Sequence, residues 1–410
     1  MRPAARRTIY LPRMSDHALA VAAAMRSLGL DAEALPEPDE DSMAAGLAHC
    51  RGSECLPCFL CAGDFLRKCR EPGFDPRQAV FFLPTGPGPC RFGQYRVLQK
   101  AILADQGFGA VEIVSPTTDD SYTLFGDDPV RLRKLAWQGV VAVDLLTRVL
   151  HEHRPYEVVP GTSDEAYTRS LDDLVRAIES GGGDHVVRSL GRAAQRFATV
   201  ETRGRQSRPA VAVIGELYLM LNRTSNLELV RGVERAGGEV LQGTFSDWLY
   251  FVDWRRREQA LQLRRFGDLV KALVSDAYQR RIERRFTRAL GGALRRPPDA
   301  PVAEAVKPLR AWWEPALGTE ATLTMARILD VARHGLSGIV NVLPFSCMPG
   351  SVVACLGPRL RKERNGIPWL DVAFDGQKET NLQTRLEAFM HQAARYHERV
   401  VAGHAEEVTS

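Results

Sequence analysis

The chain has no long apolar run. Nowhere in its 410 residues does a window approach the roughly 18 apolar positions that a membrane-spanning helix needs, so no such helix is expected. It also lacks a strong charge bias: 54 basic and 50 acidic residues leave a net of +4, too mild to imply nucleic acid by itself. The opening stretch MRPAARRTIYLP carries arginines but runs straight into a strand, without the apolar segment and cleavage site of a secretion signal. A cytoplasmic protein is expected on that ground. Phosphate-cradling signatures are missing too: there is neither a GxxxxGKS/T loop nor a complete GxGxxG fingerprint, so no intrinsic ATP hydrolysis is expected. Eight cysteines are present. In a reducing compartment they are expected as thiols, metal ligands or catalytic groups rather than as disulfides. The rest is ordinary for a globular protein, 45% apolar and 25% charged, and long enough for two or three domains with full cores.

Strand and helix signals alternate through the first third. Strands are expected at Arg7–Leu11, Asp31–Leu35, Ala79–Leu83 and Val111–Ser115. Helices are expected from Ser15 or Asp16 to Leu28, over Asp41–Cys50, from Pro57 to Lys68, and over Phe92–Gln106. That alternation predicts a parallel, Rossmann-like sheet. A mostly helical segment follows from about Pro129 to Thr202, with GGG at 181–183 and TRGRQSR at 202–208 as linker candidates. A second α/β unit begins at AVAVIGELYLML (210–221), with a helix over Asn226–Ala236. One or two long, arginine-rich helices run from Asp247 to about Gly291, until Pro297, Pro298 and Pro301. Then come the strand Gly338–Leu343, a helix over Ser351–Arg364, the strand Trp369–Phe374 and a helix over Asn381–His397. The fold class expected is α/β, two Rossmann-like parallel-sheet domains with helical insertions. The division expected is 1–125, a helical connecting segment 126–205, and 206–410 with an insertion at about 248–335.

IYLP (9–12), FFLP (81–84) and NVLP (341–344) each end a strand with Leu-Pro and open a loop before a helix. Proline cannot donate to a ladder, so it marks where a strand leaves the sheet. In open α/β sheets that carboxyl edge binds ligands. Two of these loops hold a cysteine, Cys90 and Cys347, and GSECLPCFLC (52–61) holds Cys55, Cys58 and Cys61. Thiolates at helix N-termini are stabilised by unpaired N–H groups, and Cys55, Cys90 and Cys347 are expected in that setting. Soft sulfur ligands select zinc, copper(I) or iron–sulfur clusters. No second CxxC pair supports zinc, and His49 and His404 are poorly placed for it. A ferredoxin run needs a further Cys-Pro that does not follow Cys61. An iron–sulfur cluster held by separated loops fits the spacing best. Core packing is the competing reading. It takes Cys50, Cys69 and Cys355, and Cys61 stands between the two. The loops of Cys90 and Cys347 fit it less well, because Gly86, Pro87, Gly88 and Pro89 make a stiff backbone suited to close approach.

GSECLPCFLCAGDFL, LPTGPGPCRFGQY, GELYLMLN, LPFSCMPG and DGQKETNLQTRLEAF, in that order, resemble the proteins related to 2-hydroxyacyl-CoA dehydratases and their activases, including the double-cubane cluster proteins. The resemblance covers about residues 8 to 395 and is weakest over the helical parts. It implies that the first α/β domain binds a cluster and that Cys55, Cys90 and Cys347 hold iron–sulfur, as a 4Fe-4S cubane or an 8Fe-9S double cubane. Cys58 and Cys61 are candidates for the larger ligand set. It further implies electrons from a separate ATP-hydrolysing activase, a homodimer, and a small-molecule or acyl-CoA substrate.

Glu216 follows a buried strand. It is read either as a proton-relaying catalytic group or as a helix N-terminal carboxylate. Arg91, beside Cys90, is read as a cofactor-binding group contacting cluster sulfides, or as one side of a surface ion pair. Asp375, Glu379 and Asn381 read as turn and cap residues. The stretch QRRIERRFTRALGGALRR (279–296) reads as a solvated helix face or a docking surface for an activase, ahead of phosphate binding. The function expected is an iron–sulfur protein reducing a small molecule with electrons from the activase. The alternatives are a dehydratase subunit working through a ketyl radical, and a non-catalytic cluster carrier or scaffold.

Overall fold

The computed structural model describes residues 7–52, 54–86, 90–116, 128–205, 207–296, 299–315, 319–332, 335–377 and 381–402. Pro87, Gly88, Pro89, Pro297, Pro298, Glu379 and His404 lie outside them. Among the described residues no helix is long and apolar enough to cross a membrane. The chain divides into two compact units, Met1–Val143 with Asp172–Val186, and Asp144–Leu171 with Val187–Ser410.

The first unit is built on β1 (Thr8–Leu11), β2 (Ala32–Ala34), β3 (Ala79–Phe82) and β4 (Glu112–Val114), all parallel in the order β2-β1-β3-β4. Every residue of β3 is buried, as its unbroken apolar run AVFF requires of a strand covered on both faces. Helix α1 (His17–Arg26) follows β1, α2 (Glu40–Leu47) and α3 (Leu56–Cys69) follow β2, and α4 (Tyr95–Asp105) follows β3. Phe65 of α3 stacks on Phe81 of β3 with centroids 4.0 Å apart. Helices α2 and α3 touch backbone to backbone through glycines: a Cβ on Gly63 would lie 1.7 Å from the Ser42 carbonyl oxygen, so only glycine fits.

Three long helices, α5 (Pro129–His153), α6 (Thr162–Glu179) and α7 (Asp184–Ala198), come next. Gly181, Gly182 and Gly183 all have positive φ and make the turn between α6 and α7.

The second unit repeats the first topology. Strands β5 (Ala210–Gly215), β6 (Glu239–Gln242), β7 (Gly338–Pro344) and β8 (Trp369–Phe374) are parallel in the order β6-β5-β7-β8. All seven residues of β7 are buried. Its helices are α8 (Leu217–Leu221), α9 (Leu229–Arg235), α10 (Phe245–Gln262), α11 (Phe266–Leu290), α12 (Val302–Val306), α13 (Glu320–Val331), α14 (Met348–Glu363) and α15 (Leu382–Tyr396). The α/β architecture with two parallel sheets is thus as expected.

Four local expectations change. Strand β6 was not foreseen, because it opens on a charged residue, Glu239, that is nevertheless only 1% exposed. Helix α8 intervenes before α9, and α14 starts three residues early, at Met348 rather than Ser351, with a proline in its first turn. The stretch 279–296 is not solvated throughout. Arg295 and Arg296 reach the buried Glu239 at 3.0 and 2.8 Å, and the Tyr156 hydroxyl donates to the same carboxylate at 2.6 Å.

Candidate functional site

In the first unit, Cys55 is the N-cap of α3 and Cys90 the N-cap of the 3₁₀ turn Arg91–Gln94 that leads into α4. In the second unit, Cys347 is the N-cap of α14. All three have extended backbone dihedrals, and none accepts a capping hydrogen bond from its own helix. The Cys55 and Cys347 helices open alike, as Cys-Leu-Pro and Cys-Met-Pro. Cys90 and Cys347 follow the corresponding strands β3 and β7 of the two repeats, on the edge that faces ligands in such sheets. Cys55 differs, since α2 lies between β2 and its helix.

The backbone before Cys347 is strained. Ser346 has φ +61°, a left-handed conformation uncommon away from glycine. On either side of that turn Phe345 and Met348 are exposed, at 66% and 44%. Cys90 is exposed, whereas Cys55, Cys58 and Cys61 are buried. The Cys55 sulfur and the Tyr95 hydroxyl of α4 are 2.5 Å apart. Tyr95 carries no sequence signal of its own, because it is set against Cys55 only by the packing of α4 on α3.

The electrostatics sort the remaining thiols. Burial, reinforced by the neighbouring Cys55 and Cys50 thiols and by Glu54, pushes Cys58 far up. Burial raises Cys69 to about 12, and burial with Glu54 raises Cys50 to about 11. Such thiols stay neutral unless a metal displaces the proton. One turn beyond Cys61, burial lifts Asp64 to about 7 against the opposing Ser42 and Arg67, and its Oδ2 has no hydrogen-bond partner. Arg91 is exposed and follows Cys90 in the 3₁₀ turn. Among the described residues no three His, Cys, Asp or Glu side chains come together as a metal-holding group.

Glu216 stands as the helix N-terminal carboxylate of its second reading. It sits at the carboxyl end of β5, and as N-cap of α8 its carboxylate accepts the Tyr218 and Leu219 amides at 3.1 and 2.9 Å. Gly215 makes this possible: its φ is +146°, and a Cβ there would lie 2.0 Å from the Val342 carbonyl oxygen. The partner that the sequence did not disclose is Glu320, which opens α13 and accepts the Leu217 amide at 2.9 Å. Both carboxyl groups lie deep among protein atoms, although each side chain keeps some solvent-accessible surface. Burial raises both pKa values, and the charge of Glu216 raises Glu320 further. Glu320 lines a pocket of about 310 Å³, part of it open to solvent, with Gly215, Gly243, Thr244, Asp247 and Arg327. Asp247 and Arg327 form a buried ion pair at 2.5 Å there.

Burial of both groups, and for Glu320 the charge of Glu216 beside it, favour their protonated forms. A raised native pKa favours the protonated form, so this stabilisation is complete below the ordinary carboxylate range and is lost as pH rises through the native values. Glu320→Gln keeps the acceptor for Leu217 and removes the ionisation. Its thermal midpoint is expected to match wild type near pH 5 and to exceed it near pH 9. An unchanged difference between the two pH values would refute the raised pKa of Glu320.

No protein-family model matches the chain, and no curated protein matches it.

Proposed function

We propose that this chain is an iron–sulfur protein that receives low-potential electrons from a separate ATP-hydrolysing activase and reduces a small molecule. The observation that carries the reading is the common setting of Cys55, Cys90 and Cys347. Each thiol caps a helical turn from extended backbone without using its sulfur as the cap, and Cys347 follows a strained residue. The donor chemistry fits an iron–sulfur group, because helix N-termini favour thiolate and sulfur donors favour such clusters. Cys58 and Cys61, both buried on α3, are the additional thiols that a larger cluster would use.

When bound, the cluster supplies one-electron reduction; the chain's own residues set the surroundings. Tyr95 offers its hydroxyl to Cys55, a hydrogen bond that stabilises the thiolate and raises the potential of a ligated centre. Glu216 and Glu320 hold the proton that a reduction consumes. Arg91 remains the candidate for contacts beside Cys90.

Protein purified without oxygen is expected to be brown, to carry iron and sulfide in comparable amounts, and to bleach in air. A colourless protein with stoichiometric zinc after iron-replete expression would sink the reading. With an activase of the proposed kind, stopped-flow spectra should show cluster reduction accelerated by ATP, while the isolated chain hydrolyses none. Equal rates with and without ATP would leave a cluster carrier, not a reductase.

A further inference from the structure

Gln99 of α4 is only 1% exposed, and among the described residues neither its Nε2 nor its Oε1 has a hydrogen-bond partner. No other described side chain leaves two buried polar atoms unpaired. Burying an amide without a partner is unfavourable, and an apolar side chain of similar size would avoid that cost. Core packing therefore gives no reason for an amide here. The rest of the buried face of α4 is Tyr95, Ile102 and Leu103. Register places the amide in the first unit. Tyr95 and Gln99 are four residues apart and share one face of the helix. The Tyr95 hydroxyl meets the Cys55 sulfur at 2.5 Å, which sets the first turn of α4 against the start of α3. Helix α3 leads into β3 and α4 into β4, two parallel neighbours, so both helices run back from the carboxyl edge in the same direction. One turn along each helix from that contact stand Gln99 on α4 and Cys58, itself 1% exposed, on α3. Helical Cα–Cβ bonds tilt toward the N-terminus, which leans Gln99 back toward the turn of Tyr95.

We propose that Gln99 is a positioning residue whose carboxamide N–H donates to a ligand sulfur of α3, Cys58 by register, when that sulfur holds the iron–sulfur group. This rests on the iron–sulfur reading above and adds a second donor to Tyr95. A thiol is a weak acceptor, whereas a metal-bound sulfur carries negative charge and accepts N–H bonds well. Reduction adds further negative charge, so a hydrogen bond to a ligand sulfur favours the reduced state and raises the potential. The electron comes from the activase, and no covalent bond to Gln99 forms or breaks.

Two variants of the full chain test this, Gln99→Leu and Gln99→Met; neither has a donor, and the unbranched methionine serves if the leucine variant does not fold. In cluster-free protein their thermal midpoints should equal or exceed that of wild type, because no pairing is lost. In anaerobically prepared protein both should retain iron. Redox titration with mediators should then show the one-electron equilibrium shifted about tenfold toward the oxidised form, a fall of about 59 mV in potential. A lower thermal midpoint in cluster-free protein would mean that protein or water already pairs the amide, and would overturn the proposal. An unchanged potential, or iron lost from both folded variants, would overturn it too; a wild type that is still brown leaves the iron–sulfur reading intact in either case. A wild type that takes up no cluster overturns the reading and the proposal together.

Discussion

Serine at Cys90 or at Cys347 is expected to strip most of the iron from anaerobically prepared protein, while serine at Cys50 or Cys69 leaves iron content nearly unchanged. Each of the first two is a helix N-cap on its own loop, with no other cysteine within a few residues to take its place. Loss of a direct ligand should cost more than the roughly 10- to 100-fold in metal affinity that loss of a supporting partner costs. Cys69 is buried at the end of α3 and Cys50 half-buried in the turn after α2, so neither starts a helix. Cys55→Ser should fall with the first group, and Tyr95→Phe should retain iron while lowering the potential of the centre. Colorimetric iron on the four variants decides the matter. If Cys50 and Cys69 prove essential and Cys90 and Cys347 dispensable, the assignment of ligands to the N-caps is wrong.

The largest effect on stability is expected at a residue remote from every thiol. Glu239→Ala removes the shared acceptor of Tyr156, Arg295 and Arg296, and leaves two guanidinium groups facing a buried gap. Breaking one side of a buried charge network costs about 3–5 kcal/mol. For a unit of this size that lowers the thermal midpoint by about 6–20 °C. Lys307→Ala, which breaks an exposed pair with Glu304 at 2.6 Å, should cost less than about 1 kcal/mol. Burial alone would raise the Glu239 carboxyl, but the Tyr156 hydroxyl and the two arginines outweigh it and hold it below the ordinary range. Its stabilisation is therefore complete above the ordinary carboxylate pKa and lost as pH falls through the native value. The gap between Glu239→Ala and wild type should accordingly narrow in acid. A gap that does not narrow as pH falls would show that the stabilisation does not come from ionised Glu239, and a midpoint shift no larger than that of Lys307→Ala would show that the network contributes little net stability.

Sequence periodicity found the central strands of both sheets because AVFF, AVAVIG and GIVNVLP are unbroken apolar runs of the kind that only burial on two faces permits. The helix starts were legible where a proline stands in the first turn, as at Pro57, since its missing N–H costs nothing there. Strand β6 was not legible. Its first residue is a glutamate, and the arginines that make its burial tolerable lie more than fifty positions later. The same distance in sequence concealed Glu320, 104 residues after Glu216, and Tyr95, 40 after Cys55.

By itself, then, the sequence determined that the chain is α/β with parallel sheets, and that Cys55, Cys90 and Cys347 start helical turns, because backbone preference and burial period are local properties. Only the tertiary structure decided which polar groups meet. It gave the two sheets the same strand order, so that Cys90 and Cys347 both follow the third strand of their unit. It brought Glu216 and Glu320 to the start of the same helix and set Tyr95 on Cys55. Charge pairing and burial depend on which segments are brought within a few ångströms, and that is a property of the assembled fold.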